Sequence, residues 1–197
     1  MSEEIKSALE IAKEKIEKLG EVTEEERRKW KYVPEGEKLA ARYIKQDVNL
    51  IVELGQYEED AKKHVIEGAT DIFIRNVNLP KNDLTRRANK RAMDGLKILK
   101  TDKVAVENIY SRMRRIFDHY IEQGEQQRKQ AYESLKTEFE AKIQQAMRQQ
   151  VDSIVGNKID IESQPQFQGE WRKLQAQLDL QYVKLLDEYK QELCATA

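Results

Sequence analysis

VAVENIYSRMRRIFDHYIEQGEQQRKQAYESLKTEFEAKIQQAMRQQVDSIV, residues Val104 to Val155, decides how the fold is read. Its apolar positions step by three or four: Val106, Ile109, Met113, Ile116 and Tyr120, then Ala131, Leu135, Phe139, Ile143, Met147, Val151 and Ile154. That step keeps a stripe on one side of a helix. No proline interrupts the stretch, and Gly124 is its one internal glycine. At about 1.5 Å of rise per residue, such a helix is on the order of 75 Å long, more than a small domain needs. Between Glu122 and Gln130 the stripe lapses into polar residues. Gly124 alone is a weak breaker, so the helix is read as continuous.

The segments around it read as helices too. Glu3 to Leu19 carries an apolar face from Ile5 to Leu19, with Ser2 as N-cap and Gly20 as terminator. Thr23 and Glu26 form a capping box for a short helix bearing Trp30 and Tyr32, which Val33-Pro34 is expected to stop. A long helix is expected from Glu37 to Asn76, weakened at Gly55 and Gly68, where a bend or a close helix crossing is allowed. Asn82 or Asp83 starts a helix that runs to Lys100, with Leu84, Ala88, Ala92, Leu96 and Leu99 on its packed face. Thr101-Asp102 caps the long helix, and Gly156-Asn157 ends it. A last helix, Pro165 to Cys194, returns along residues 125–155 as an antiparallel hairpin. The predicted fold is all-α: long antiparallel helices, coiled-coil-like, with residues 1–120 as a bundle and residues 121–197 as a protruding C-terminal hairpin. Two helices alone bury little, so the hairpin calls for support from the first lobe or from a second copy.

Composition agrees. Eight glycines and three prolines in 197 residues are too few for a turn-rich β fold, and 36% charged with 39% apolar residues suits helices with one wet face. No apolar run is long enough for a transmembrane helix, and no secretory h-region opens the chain. Cys194 is the one cysteine, which suits a reducing cytoplasm. As a nucleophile it would need a base and a pocket that a chain end does not offer.

Charge is uneven beneath a net −1. Residues 1–80 hold 14 Lys/Arg against 18 Asp/Glu, residues 81–115 hold 11 against 4, and residues 116–197 hold 10 against 14. Lys81, Arg86, Arg87, Lys90, Arg91 and Lys97 form the centre of the basic stretch, continued by Lys100, Lys103, Arg112, Arg114 and Arg115. Such cations can track phosphates, or they can pair with acidic faces of neighbouring helices. No aromatic residue is interleaved in 81–103, so base stacking is not offered there.

Enzymatic motifs are missing. His64 has Asp60 and Glu67 on its helical face, and His119 has Asp118 and Glu122 nearby. Ala61 and Ile116 stand where a Glu-x-x-His motif needs its Glu, and solvated helix faces are expected. There is no His-Glu-x-x-His, cysteine pair, calcium loop, phosphate-binding glycine loop or nucleophile elbow. No catalytic, metal or cofactor residue is assigned, and no small-molecule substrate is evident. The aromatic residues fall mostly on helical stripes; Phe139, Trp171 and Tyr189 would anchor a partner helix if the hairpin is exposed.

Three phrases, Ser7-Ala8-Leu9-Glu10-Ile11-Ala12, Arg75-Asn76-Val77-Asn78-Leu79-Pro80-Lys81-Asn82 and Gly95-Leu96-Lys97-Ile98-Leu99-Lys100, are similar to an uncharacterised family of bacterial helical proteins. The resemblance implies a bacterial cytoplasmic protein and supplies no activity, cofactor or site. The residues thus favour a non-enzymatic interaction or scaffold protein that associates with itself or another protein. Nucleic-acid or ribosome binding through residues 81–103 is the alternative, and a helical metalloenzyme comes third.

Overall fold

The computed structural model describes residues 23–46, 48–149 and 160–196. Among them are six helices and no strand: α1 Glu24–Lys45, α2 Leu50–Leu54, α3 Glu59–Asn76, α4 Asp83–Leu99, α5 Lys103–Gln149 and α6 Pro165–Ala195. The expected helix Glu3–Leu19, the stop at Gly156-Asn157, and the stripe residues Met147, Val151 and Ile154 lie outside what can be described. The chain forms two compact units, Met1–Arg75 and Asn76–Ala197. The expected division is 1–120 and 121–197, whereas the boundary between these units falls at Arg75–Asn76.

In the first unit the capping box at Thr23 forms as the sequence predicts: the Glu26 amide donates to Thr23 Oγ1 at 3.2 Å, and the Thr23 amide donates to the Glu26 carboxylate at 2.8 Å. The expected stop at Val33-Pro34 is overturned, since α1 passes through Pro34 to Lys45. Pro34 lies on the exposed side, where water can answer the Trp30 carbonyl that it leaves without a donor. The expected single helix from Glu37 to Asn76 is also corrected. Gln46 caps α1, and the Asn49 side chain accepts from the amides of Ile51 and Val52 to start the short α2, which ends at Gly55. Gly68 instead serves the close crossing. A Cβ on Gly36 would lie 2.0 Å from the Val65 carbonyl oxygen, and one on Gly68 would lie 2.1 Å from that of Val33. The two glycines therefore let the α1 and α3 backbones touch. Leu39, Ala40, Leu50, Val65, Ala69 and Phe73 fill the core around them, with Tyr43 edge-on to Phe73 at 5.5 Å.

In the second unit Asn82 caps α4 by accepting from the Thr85 amide at 2.9 Å, and Asp102 caps α5 by accepting from the Ala105 amide at 2.9 Å. Buried Asn89 accepts from the Asn78 amide at 2.8 Å and donates to its carbonyl at 2.6 Å, which pins the preceding loop to α4. Leu84, expected on the packed face, is exposed in the first turn, while Ala92, Met93 and Leu96 are buried. The Tyr110 hydroxyl donates to the Met93 carbonyl at 2.8 Å, seating α5 on α4. Burial pushes that phenol well above its ordinary range. α5 and α6 run antiparallel: Arg112 meets Glu192, Tyr120 meets Tyr182, Tyr132 meets Trp171 and Lys136 meets Glu162.

Candidate functional site

Along α5 the even apolar spacing meets uneven cover. From Val106 to Tyr120 the stripe is buried at Val106, Ile109, Met113 and Tyr120, with Val106 and Met113 fully enclosed, while Ile116 is half-buried. From Ala131 to Ile143 the same spacing is only half-buried at Ala131, Leu135, Phe139 and Ile143. Here α6 is the helix that covers it. Phe139 lies edge-on to Phe167 at 5.3 Å, and Tyr132 lies edge-on to Phe167 and to Trp171 at 5.5 and 5.0 Å. The expected anchors Phe139 and Trp171 thus belong to the hairpin's own aromatic cluster, with part of each ring facing outward. Tyr189 lies under the Arg112 guanidinium at 4.6 Å, and Arg112 also pairs with Glu192.

Where the stripe lapses, a buried polar cluster replaces it. Gly124 is buried, and a Cβ there would lie 3.0 Å from Arg128 Nη1 and 3.3 Å from the Tyr182 hydroxyl. The missing side chain leaves room for Arg128 to stack over the Tyr120 ring at 4.1 Å and donate to the Tyr120 carbonyl at 3.2 Å. Asp179 is buried opposite. Its Oδ2 pairs with Lys81 Nζ at 2.6 Å, while Oδ1 has no hydrogen bond and faces Arg128 Nη1 at 3.9 Å. Burial, and then the Asp179 charge, push the Tyr120 phenol up to about 12. Sequence reasoning missed this cluster. Its signal was Asp179, which stands seven residues before Leu186 and fourteen before Leu193 on the buried side of α6.

Beside the cluster lies a cleft of about 660 Å³ between α5 and α6. From α5 it takes Arg112, Arg115, Ile116 and His119, a ladder of turns on one flank. From α6 it takes Leu178, Tyr182, Leu185 and Tyr189, and the amides of Gln127 on α5 and of Gln177 and Gln181 on α6 complete the lining. Among the described residues no carboxylate lines it. His119 Nδ1 lies 2.9 Å from the Tyr182 hydroxyl.

Much of the basic stretch is engaged. Lys81 holds Asp179, Arg86 lies 3.5 Å from Asp83, and Lys97 and Arg114 each hold Glu107 at 2.8 Å. Those two cations draw the Glu107 carboxyl below its usual range. Lys103 donates to carbonyls of Lys97, Ile98 and Lys100 at the end of α4, where the helix dipole favours a cation. Lys100 donates to the Thr196 carbonyl at 2.6 Å, and burial lowers its ammonium pKa. Arg91 is half-buried, while exposed Arg87 and Lys90 make no ion pair among the described residues.

The expected solvated face at His64 is overturned: the ring is buried in the first unit, 3.8 Å from Glu25 at Nε2 and 3.6 Å from Glu67 at Nδ1. Asp60 instead pairs with Arg28 at 2.6 Å. The two carboxylates flank opposite ring nitrogens, so they do not converge on one point. Among the described residues no group of three or more His, Cys, Asp or Glu side chains is arranged to hold a metal ion. His119 is exposed, as expected. No helix among these residues is long and apolar enough to cross a membrane.

A model of a family of unknown function, DUF6657, matches residues 52–195. Two of the three phrases that suggested a family, those at 75–82 and 95–100, lie inside that span. Neither a curated protein nor a solved structure matches the chain. The chain belongs to the DUF6657 family.

Proposed function

We propose that this member of the family is a non-enzymatic helical interaction protein that self-associates through the distal half of the α5–α6 hairpin. The observation that carries the reading is the half-buried stripe Ala131, Leu135, Phe139 and Ile143, whose counterpart is buried at Val106, Ile109, Met113 and Tyr120. An apolar stripe at helical spacing is stabilised by a covering surface. Finishing the burial of one stripe is worth roughly 3–5 kcal/mol, and two copies double that. Set against an association cost of about 4–15 kcal/mol, the net gain is at most about 6 kcal/mol, a dissociation constant of tens of micromolar or weaker. The lone cysteine fits a reducing, cytoplasmic setting.

Sedimentation equilibrium tests the reading. The wild type should exceed the 23.2 kDa chain mass as concentration rises, and Leu135→Glu with Ile143→Glu should stay at it. A wild type that holds the chain mass throughout would refute self-association.

A second reading, phosphate-backbone binding through α4, keeps support from Arg87 and Lys90. Two such cations give a salt slope of only about −2, against roughly −5 if all six named residues contributed. Labelled RNA and duplex DNA titrated at two salt concentrations measure that slope, and no binding at low salt ends the reading.

A further inference from the structure

We infer that the cleft between α5 and α6 binds a slender amphiphile carrying one anionic head group, laid lengthwise with its head at Arg115 and His119. The sequence offers no small-molecule motif; the site arises only when the flanks of two helices meet.

Charge comes first. Among the described residues the lining holds two guanidinium groups, an imidazole and amides, without a carboxylate. Arg112 is already paired with Glu192 and stacked on Tyr189. Arg115 makes no ion pair among the described residues, and it stands one turn before His119 on the same helix. With the Tyr182 hydroxyl donating to His119 Nδ1 at 2.9 Å, the ring proton sits on Nε2, which is then the donor that faces an anion. An anion placed between these two groups meets a guanidinium fork and a ring nitrogen.

Shape comes second. Ile116, Leu178 and Leu185 give the cleft an apolar floor, and Leu185 remains 42% exposed. A volume of about 660 Å³ falls in the usual range of small-molecule sites. Arg112 and Gln127 are about 22 Å apart along α5, so the cleft is elongated along the hairpin and takes an extended chain laid lengthwise.

The site is separate from the distal stripe, so its test does not depend on self-association. Isothermal titration of the full-length chain with sodium dodecanoate, below its micelle concentration, should show one molecule bound per chain. Arg115→Gln, a change at an exposed side chain, should weaken binding by about tenfold, the loss expected for one charge-assisted contact. Leu185→Trp should abolish it by filling the floor, and dodecan-1-ol should bind at least about tenfold more weakly. The Leu135→Glu, Ile143→Glu chain should bind dodecanoate unchanged. Absence of dodecanoate binding, equal binding of the alcohol, or indifference to Arg115→Gln would overturn the inference. So would an acidic amphipathic peptide that binds where dodecanoate does not, because the cleft would then be a protein-docking surface.

Discussion

The two halves of α5 share a spacing and differ in company. Residues 103–120 lie against both α4 and α6, and Val106, Met113 and Tyr120 are buried there. Residues 131–146 meet α6 alone among the helices described, and their stripe is half open. Apolar periodicity therefore gives the direction of a helix face, whereas the number of neighbouring helices decides how completely that face is buried. Between the halves stand Tyr120, Gly124, Arg128 and Asp179, a polar plug where the stripe lapses.

Alanine in place of Met113 should separate the halves most strongly. It should cost about 2–5 kcal/mol in denaturant unfolding, as large-to-small changes in closed cores do. Leu135→Ala should cost only about 1 kcal/mol, because its side chain is partly open to water. Equal costs would break the comparison.

Alkaline titration probes the junction. The folded Tyr120 phenol sits at about 12 and the unfolded one near its ordinary 10, so above that ordinary value the unfolded chain binds fewer protons. Its contribution is present below pH ~10 and falls as pH rises toward ~12, by roughly 2–3 kcal/mol across the window. Stability curves of wild type and Tyr120→Phe should differ by that pH-dependent amount, and parallel curves would place the phenol in water. Asp179→Asn should cost about 1–3 kcal/mol, since Arg128 loses its buried counter-charge. Lys81→Met should cost a comparable amount, about 1–3 kcal/mol, because it leaves the buried Asp179 carboxylate without its hydrogen-bonded counter-charge.

Leu135→Glu with Ile143→Glu should lower the unfolding free energy of the dilute chain by about 2 kcal/mol, since both positions are only partly enclosed. A loss of several kcal/mol would mean that these positions are as enclosed as Met113.

Long helices and their caps were legible in the sequence, because Thr23, Asn82 and Asp102 signal locally and a 3.6-residue period survives any packing. The breaks between α1, α2 and α3 were not. Asn49 is an N-cap only once Gln46 has left the helix, and Pro34 stays helical because its exposed side tolerates a missing donor. The reciprocal seating of Gly36 and Gly68 was half visible, as a glycine that allows a crossing, but its partner helix was not. The basic stretch was legible as charge and ambiguous as function, since its pairing with Glu107 and Asp179 depends on tertiary contacts. The cleft was least legible. Arg112, Arg115 and His119 recur at helical steps, yet only α6 supplies the opposing wall and the apolar floor.

Hydrogen exchange at low and high protein concentration tests the central claim most directly. Amides of residues 131–146 should gain protection as concentration rises, while those of residues 106–120 stay equally slow. Distal amides that exchange at one rate at every concentration would contradict an exposed stripe that waits for a second copy.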